Sequence, residues 1–250
     1  MSVRIDTVYQ RVLGIINKEQ RGFVTPQEFN LFANQAQLDI FEQYFYDINQ
    51  FGRLHGNDTE YSDMLNILNE KINLFESTEK LEYVDNVFKH PNDLYRLGTV
   101  IYNNVTTKLI LDPILGPKTP QTTTEFIEVE RINKNEFLYI NSSPLTKPKD
   151  IRPIFTADTK GIKVYGDSTI IDNVSLNYIK YPAKVEWKYQ MVFGEALYNT
   201  TDSIDFELHG SEETDLVMKI LALSGMAIKD GDVANAANTE DAKNVQQEKQ

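Results

Sequence analysis

The chain reads as an α+β protein. An N-terminal helical block and a C-terminal helix pack together, with a small antiparallel β-domain inserted between them. Three observations predict this. Apolar residues recur at helical spacing through the first eighty residues. From Lys80 to Tyr189 the chain becomes rich in Val, Ile, Thr and Tyr, broken by proline and paired turn residues. Helical spacing then returns around Leu216–Leu223. The segments are 1–80, a block of three helices; 81–190, a β-domain with long loops; and 191–250, a helix and tail that return to the block. At 250 residues the chain is long enough to bury a core.

The first helix runs from Ile5 to Lys18, with Ile5, Val8, Tyr9, Val12, Leu13 and Ile16 on one face and a stop at Arg21-Gly22. The second runs from Pro26 to about Asn49. Thr25 is its N-cap, Pro26 takes the first helical position, and Glu28 completes a capping box. Phe29, Phe32, Ala33, Ala36, Ile40, Phe41, Tyr44 and Phe45 form its apolar stripe. Its other face is rich in amides: Asn30, Asn34, Gln37 and Gln43. Such a face suits plain solvent or a protein contact. Gly52 to Asp58 reads as a loop, and Tyr61, Met64, Leu65, Leu68, Ile72 and Phe75 mark a third helix from about Glu60.

In the middle segment, Leu81–Tyr83 is a short strand candidate. A turn at His90–Asp93 leads into a strand through Tyr102, with Asp93 and Arg96 spaced for a local ion pair. Asn103-Asn104 reads as a hairpin turn before Lys108–Leu111. Residues 112–124, with three prolines and four threonines, read as a loop. Phe126–Ile132 reads as a short helix in preference to a strand, and Asn141–Pro153 as irregular. Ile154–Thr156, Ile162–Tyr165 and Val174–Ile179 are the clearest strands. After Pro182 and Trp187 the chain turns helical, with Ser211 as N-cap and Glu212, Glu213 and Asp215 at the positive end of the helix dipole. From Lys229 the tail is polar, and it forms a helix only where a neighbour supplies a surface.

Composition excludes several functions. There is no cysteine, so no disulfide, thiolate nucleophile or cysteine-based zinc site exists. No apolar run reaches the roughly 18–20 residues of a membrane span. Arg4, Asp6 and Arg11 interrupt any signal-peptide core. A soluble chain made in the cytosol is expected. Residues 1–80 carry 7 basic and 12 acidic side chains, residues 81–190 carry 14 and 13, and residues 191–250 carry 4 and 12. A basic nucleic-acid footprint is missing, so sequence-specific DNA binding is not expected. An acidic wall past which DNA slides is compatible with this balance.

No reaction chemistry emerges. His55, His90 and His209 lack metal-ligand spacing, and no phosphate-cradling loop or nucleophile elbow is present. Asp230-Gly231-Asp232 opens like a calcium loop, but Asn235 stands where the loop needs glycine. Catalytic, cofactor and metal residues are therefore none, and an enzyme is the weakest class.

Four stretches carry a resemblance. They are NKEQRGFVTPQEFN with the helix ending FEQYF; HPNDLYRL at His90–Leu97; VSLNYIKYPAKVEW at Val174–Trp187; and DFELHGSEETDLVMKIL at Asp205–Leu221. Together they resemble a family of tailed-phage virion proteins from marine and crAss-like phages, described as head–tail connector or ring proteins. The order of elements is similar to podovirus-type adaptors, also called tail-tube A or gatekeeper proteins. The resemblance implies a virion protein without enzymatic activity. It forms rings, commonly twelve-fold, docks on the portal and continues the DNA channel. It implies that residues 206–250 form the portal-docking element, with Phe206, Leu208, His209, Ser211, Leu216, Val217 and Ile220 as docking residues. Asn30, Asn34, Gln37 and Gln43 become the candidate subunit interface. Partners are then other copies of the chain, the portal, neighbouring tail proteins and passing DNA, with no membrane. A tail-tube or tail-hub ring further from the capsid fits the same sequence. A carbohydrate- or receptor-binding module, suggested by the Tyr-rich β-domain, belongs to another class and requires an exposed aromatic stripe.

Overall fold

The computed structural model describes residues 2–18, 24–51, 58–111, 118–193, 195–228 and 239. They form an α+β protein of two compact units. One comprises Met1–Phe75 with Pro182–Gln250, and the other Glu76–Tyr181. The tail beyond Ile228, apart from residue 239, and the Arg21-Gly22 stop lie outside the described residues.

In the first unit, α1 (Ile5–Lys18) buries Ile5, Val8, Tyr9, Val12 and Ile16, the face its spacing predicts. Its first N–H, on Ile5, donates to Asp205 Oδ1 at 2.9 Å, so the cap comes from 200 residues away. Helix α2 (Pro26–Phe51) begins with the capping box as read. Glu28 N–H donates to Thr25 Oγ1 at 3.3 Å, and Thr25 N–H donates to Glu28 Oε2 at 2.9 Å. Phe29, Ala33, Ala36, Ile40, Phe41 and Tyr44 are buried, while Phe32 and Phe45 are half-buried. Helix α3 (Asp58–Asn73) buries Leu68 and Ile72 and packs on α2. Phe75 follows it and meets the Phe41 ring edge-on at 4.8 Å.

The second unit holds one curled sheet of nine strands. They are β1 (Glu76–Lys80), β2 (Tyr83–Val84), β3 (Val87–Phe88), β4 (Leu94–Leu111), β5 (Lys118–Arg131), β6 (Ile154–Asp158), β7 (Gly161–Tyr165), β8 (Thr169–Ile170) and β9 (Val174–Lys180). Their order is β1-β9-β4-β5-β6-β7-β3-β2, with β8 paired to β7. The sheet is mixed rather than wholly antiparallel, because β5 and β6 run parallel at Glu130↔Ile154 and Arg131↔Phe155. Helix α4 (Lys134–Ser142) makes the crossover between them. The core gathers Phe88, Val100, Phe155, Ile162, Val164, Val174 and Leu176. In β9, Val174, Leu176 and Tyr178 are buried and Ser175, Asn177 and Ile179 half-buried, so the alternation read from sequence is the pleat.

Several expectations in this unit are corrected. Of the Leu81–Tyr83 candidate, Leu81 and Glu82 lie between strands and Tyr83 opens β2, while ESTEK just before them forms β1. It is an exposed edge strand paired only to β9, so it carries charge instead of an apolar pattern. Asn103-Asn104 is no turn, because both residues sit inside β4, opposite Phe126 and Glu125. The two-residue turn with positive φ is Asp85-Asn86, at 54° and 65°, between Val84 and Val87. Thr119–Thr124, read as loop, and Phe126–Arg131, read as helix in preference to strand, lie in β5. A ladder with β4 from Lys118 to Val129, continued by pairing with β6 at Glu130 and Arg131, overrides local propensity. Asp93 Oδ1 accepts from the Tyr178 hydroxyl at 2.9 Å, which is the bond its position in the turn provides.

Back in the first unit, residues 189–198, read as turning helical, form a hairpin of β10 (Tyr189–Val192) and β11 (Glu195–Tyr198). The closing helix α5 (Glu213–Ile228) packs on α1 and α2. A short 3₁₀ turn, Gly210–Glu212, precedes it. Its cap is His209, whose Nδ1 accepts from Ser211 N–H at 3.3 Å, so Ser211 is inside the turn rather than its cap. A buried ion pair, Lys71 Nζ to Glu212 Oε1 at 2.5 Å, ties α3 to this turn.

Candidate functional site

The amide face of α2 is spent inside its own unit. Trp187 N–H donates to Asn30 Oδ1 at 2.8 Å, and Asn30 Nδ2 donates to the Trp187 carbonyl at 3.2 Å. Asn34 repeats the exchange with Val185 at 3.0 and 2.9 Å. Gln37 Nε2 donates to the Ala183 carbonyl at 2.8 Å, and its Oε1 accepts from Glu207 N–H at 3.3 Å. The spacing explains the residue types. Four helical residues rise about 6.0 Å, close to the roughly 6.6 Å of two extended residues. Asn30 and Asn34 therefore meet residues 187 and 185 of a segment running the other way. Gln37 lies only three residues further, a rise of about 4.5 Å, and the extra methylene of glutamine covers the shortfall. The three amides act as a surrogate strand that satisfies the backbone of 183–187. The expectation that Asn30, Asn34 and Gln37 form a subunit surface is thus corrected. Gln43 is half-buried on the same helix and takes no part in this ladder.

Trp187, the chain's one tryptophan, is buried at the end of the ladder. Its indole N–H donates to Asp6 Oδ1 at 3.1 Å, and its ring lies 4.1 Å from Tyr9. Burial holds the Tyr9 hydroxyl above its ordinary pKa, with Tyr189 adding to the effect.

The docking residues divide. Phe206, Leu208, Leu216, Val217 and Ile220 are all buried, from 0% to 4% exposed. They are the side of α5 and its lead-in that the first unit uses as core, so they offer nothing to a partner. His209 and Ser211 are exposed, and they bond each other at 2.9 Å as part of the cap.

Among the described residues, three surfaces face outward instead. The first is the β4–β5 ribbon. Strand β9 accompanies β4 only as far as Tyr102, and β6 meets β5 only at Glu130 and Arg131. Between them Asn104–Leu111 and Lys118–Glu125 continue as eight cross-strand pairs with no third strand among the described residues. This ribbon extends about 27 Å past its sheet. The second is α4, which buries none of its residues and exposes Leu138 and Tyr139. The third is the β10–β11 tip, with Met191, Phe193 and Leu197 exposed. The pattern Met191-Val192-Phe193-Gly194-Glu195 was the available signal for this hairpin. The exposure of Phe193 has no sequence signal of its own.

The side-chain chemistry at other points is structural. No group of three or more His, Asp or Glu that could hold a metal occurs among the described residues. His90 Nε2 bonds the Asp158 carbonyl at 2.9 Å, and His55 lies outside the described residues. A cleft of about 520 Å³ beside β5 and β6 is lined by Arg131, Arg152 and Glu130, and the last two pair at 3.2 Å. Tyrosines of the sheet form no exposed stripe: Tyr178 is buried, and Tyr83, Tyr95, Tyr102 and Tyr165 are half-buried. No helix among the described residues is long and apolar enough to cross a membrane. No family model matches the chain, and no curated protein matches it.

Proposed function

We propose that the chain is a structural subunit that assembles with copies of itself into a ring of a tailed-phage head–tail connector. In that setting it docks on the portal and continues the DNA channel in the virion. The observation that carries the assembly reading is the β4–β5 ribbon. A two-stranded ribbon is marginal alone in water, and no third strand lies along either edge of this one among the described residues. A neighbouring chain against those edges supplies what the sheet does not. The phage setting is supported by the resemblance of the four stretches above. The charge is compatible with passing DNA: the first unit holds 12 basic and 23 acidic side chains, a net −11, so phosphate slides without being held.

Light scattering and negative-stain imaging of the full chain, alone and with a portal ring, test the reading. Rings, or a monomer that joins the portal ring, support it. A monomer at every concentration that ignores the portal overturns it.

A further inference from the structure

We propose that copies of this chain join head to tail by seating the apolar tip of the β10–β11 hairpin on the α4 segment of the next copy. The inference rests on the self-assembly reading and names its contact.

The tip combines an exposed apolar surface with a disfavoured backbone conformation. Phe193 is fully exposed and holds φ at +51°, a region disfavoured for a bulky side chain. Two-residue hairpin turns of this kind favour asparagine or glycine at that position. Met191 and Leu197 are 65% and 61% exposed. Met191 shares a face with Tyr189 and Tyr198, while Leu197 lies on the other face opposite Gln190, so the tip is a wedge with an exposed apolar side chain on each side. Its root is fixed. Tyr189 and Tyr198 pair across the hairpin and stack on buried Trp187 at 5.6 and 5.9 Å. The wedge is therefore held out by a rigid base.

The recipient is the segment 134–152. Helix α4 rests on its own sheet through half-buried Phe137, whose ring lies 4.4 Å from Tyr165, while its other side, with Leu138 and Tyr139, faces out. Leu138, Tyr139, Leu145 and Ile151 are 70%, 80%, 93% and 73% exposed. The loop after α4 folds back on it through Thr146 Oγ1 to the Ile140 carbonyl at 3.0 Å and Lys147 N–H to the Ser143 carbonyl at 2.9 Å.

Charge selects the occupant. The hairpin belongs to the unit of net −11, which repels nucleic acid and anionic lipid. The segment 134–152 carries four basic and two acidic side chains. Lys134 and Arg152 are tied to Asp158 and Glu130, whereas Lys147 and Lys149 stand exposed with no ion pair among the described residues. An acidic unit with an apolar wedge and a basic-rimmed apolar seat occur on one sequence. That is the requirement for a heterologous contact between identical chains.

The absence of cysteine makes the test clean. Phe193→Cys and Tyr139→Cys full-length chains, one carrying a mass tag, are mixed and mildly oxidised, with and without a portal ring. Each copy has one thiol, so any disulfide joins two copies. The expected result is a mixed disulfide in excess over same-variant pairs. Phe193→Asn should melt at the same or a higher temperature, because asparagine tolerates the turn, yet weaken assembly at least about tenfold. Assemblies that form without the mixed disulfide, and form equally well with Phe193→Asn, overturn this contact and leave the ring reading standing. No assembly of the unaltered chain in any of these conditions overturns both.

Discussion

Asn30 and Trp187 exchange two hydrogen bonds across 157 residues of sequence, one from each backbone or amide donor. Asn34 and Val185 do the same one turn later. The amide side chains of α2 thus hold the strand-like segment that leads back from the second unit's last residue into the first unit's core.

Replacing Asn34 with alanine leaves the Val185 N–H and carbonyl without partners in a partly buried place. The expected loss is about 1–3 kcal/mol. Urea denaturation followed by Trp187 fluorescence measures it, since the only tryptophan lies in the same unit. Asn34→Asp should be no better than alanine, because it restores the acceptor but sets a carboxylate against the Val185 carbonyl. A loss below a few tenths of a kcal/mol would mean that water replaces the ladder freely.

Lys71 and Glu212 are 14% and 6% exposed as side chains and face each other. Lys71→Met strands a buried carboxylate, with an expected loss of about 3–5 kcal/mol. Adding Glu212→Leu should recover most of it, because replacing both ions by apolar groups removes the desolvation penalty. A double-mutant cycle reads the coupling, and a coupling near zero would contradict the pair.

The α2 capping box gives a pH signature. Glu28 is held below its ordinary pKa by the Thr25 N–H first and the Thr25 hydroxyl second. A carboxyl with a depressed folded pKa adds stability above the ordinary glutamate range, and that stability is lost as pH falls through the depressed value. Glu28→Ala should therefore lower Tm at neutral pH, with the gap closing in acid. Thr25→Ala removes the cap itself and should cost about 1 kcal/mol. A gap that persists unchanged below the depressed value would assign the effect to something other than the charge.

Asp6 accepts the Trp187 indole N–H at 3.1 Å. Asp6→Ala leaves that buried donor unpaired, at about 1–3 kcal/mol. The change should also shift native tryptophan emission while the fold is retained. Unchanged emission and stability would contradict the bond.

The helices were legible because period and caps are local. Thr25, Pro26 and Glu28 specify a start with no reference to the rest of the chain. The β-unit was legible where burial marks the strand, by alternation at Val174, Leu176 and Tyr178 and by a short apolar run at Ile154 and Phe155. β1 is an exposed edge, β5 takes its conformation from β4, and the Asn103-Asn104 turn signal yields to the same ladder. The roles of site residues were the least legible. Periodicity placed Asn30, Asn34 and Gln37 on one face but could not show that residues 183–187 needed that face. The resemblance made Leu216, Val217 and Ile220 docking candidates, but their helical spacing makes them core once α1 and α2 stand opposite.

The most direct measurement compares the native mass of the full chain with a variant whose ribbon is cut back by joining Asn103 to Phe126 through a two-residue Asn-Gly turn. The sheet core, from Val100 and Val129 to Leu176, is left intact. The account predicts that both proteins fold and that only the full chain assembles, alone or on a portal ring. A trimmed chain that assembles as well as the full one would contradict the claim that the ribbon is an assembly surface.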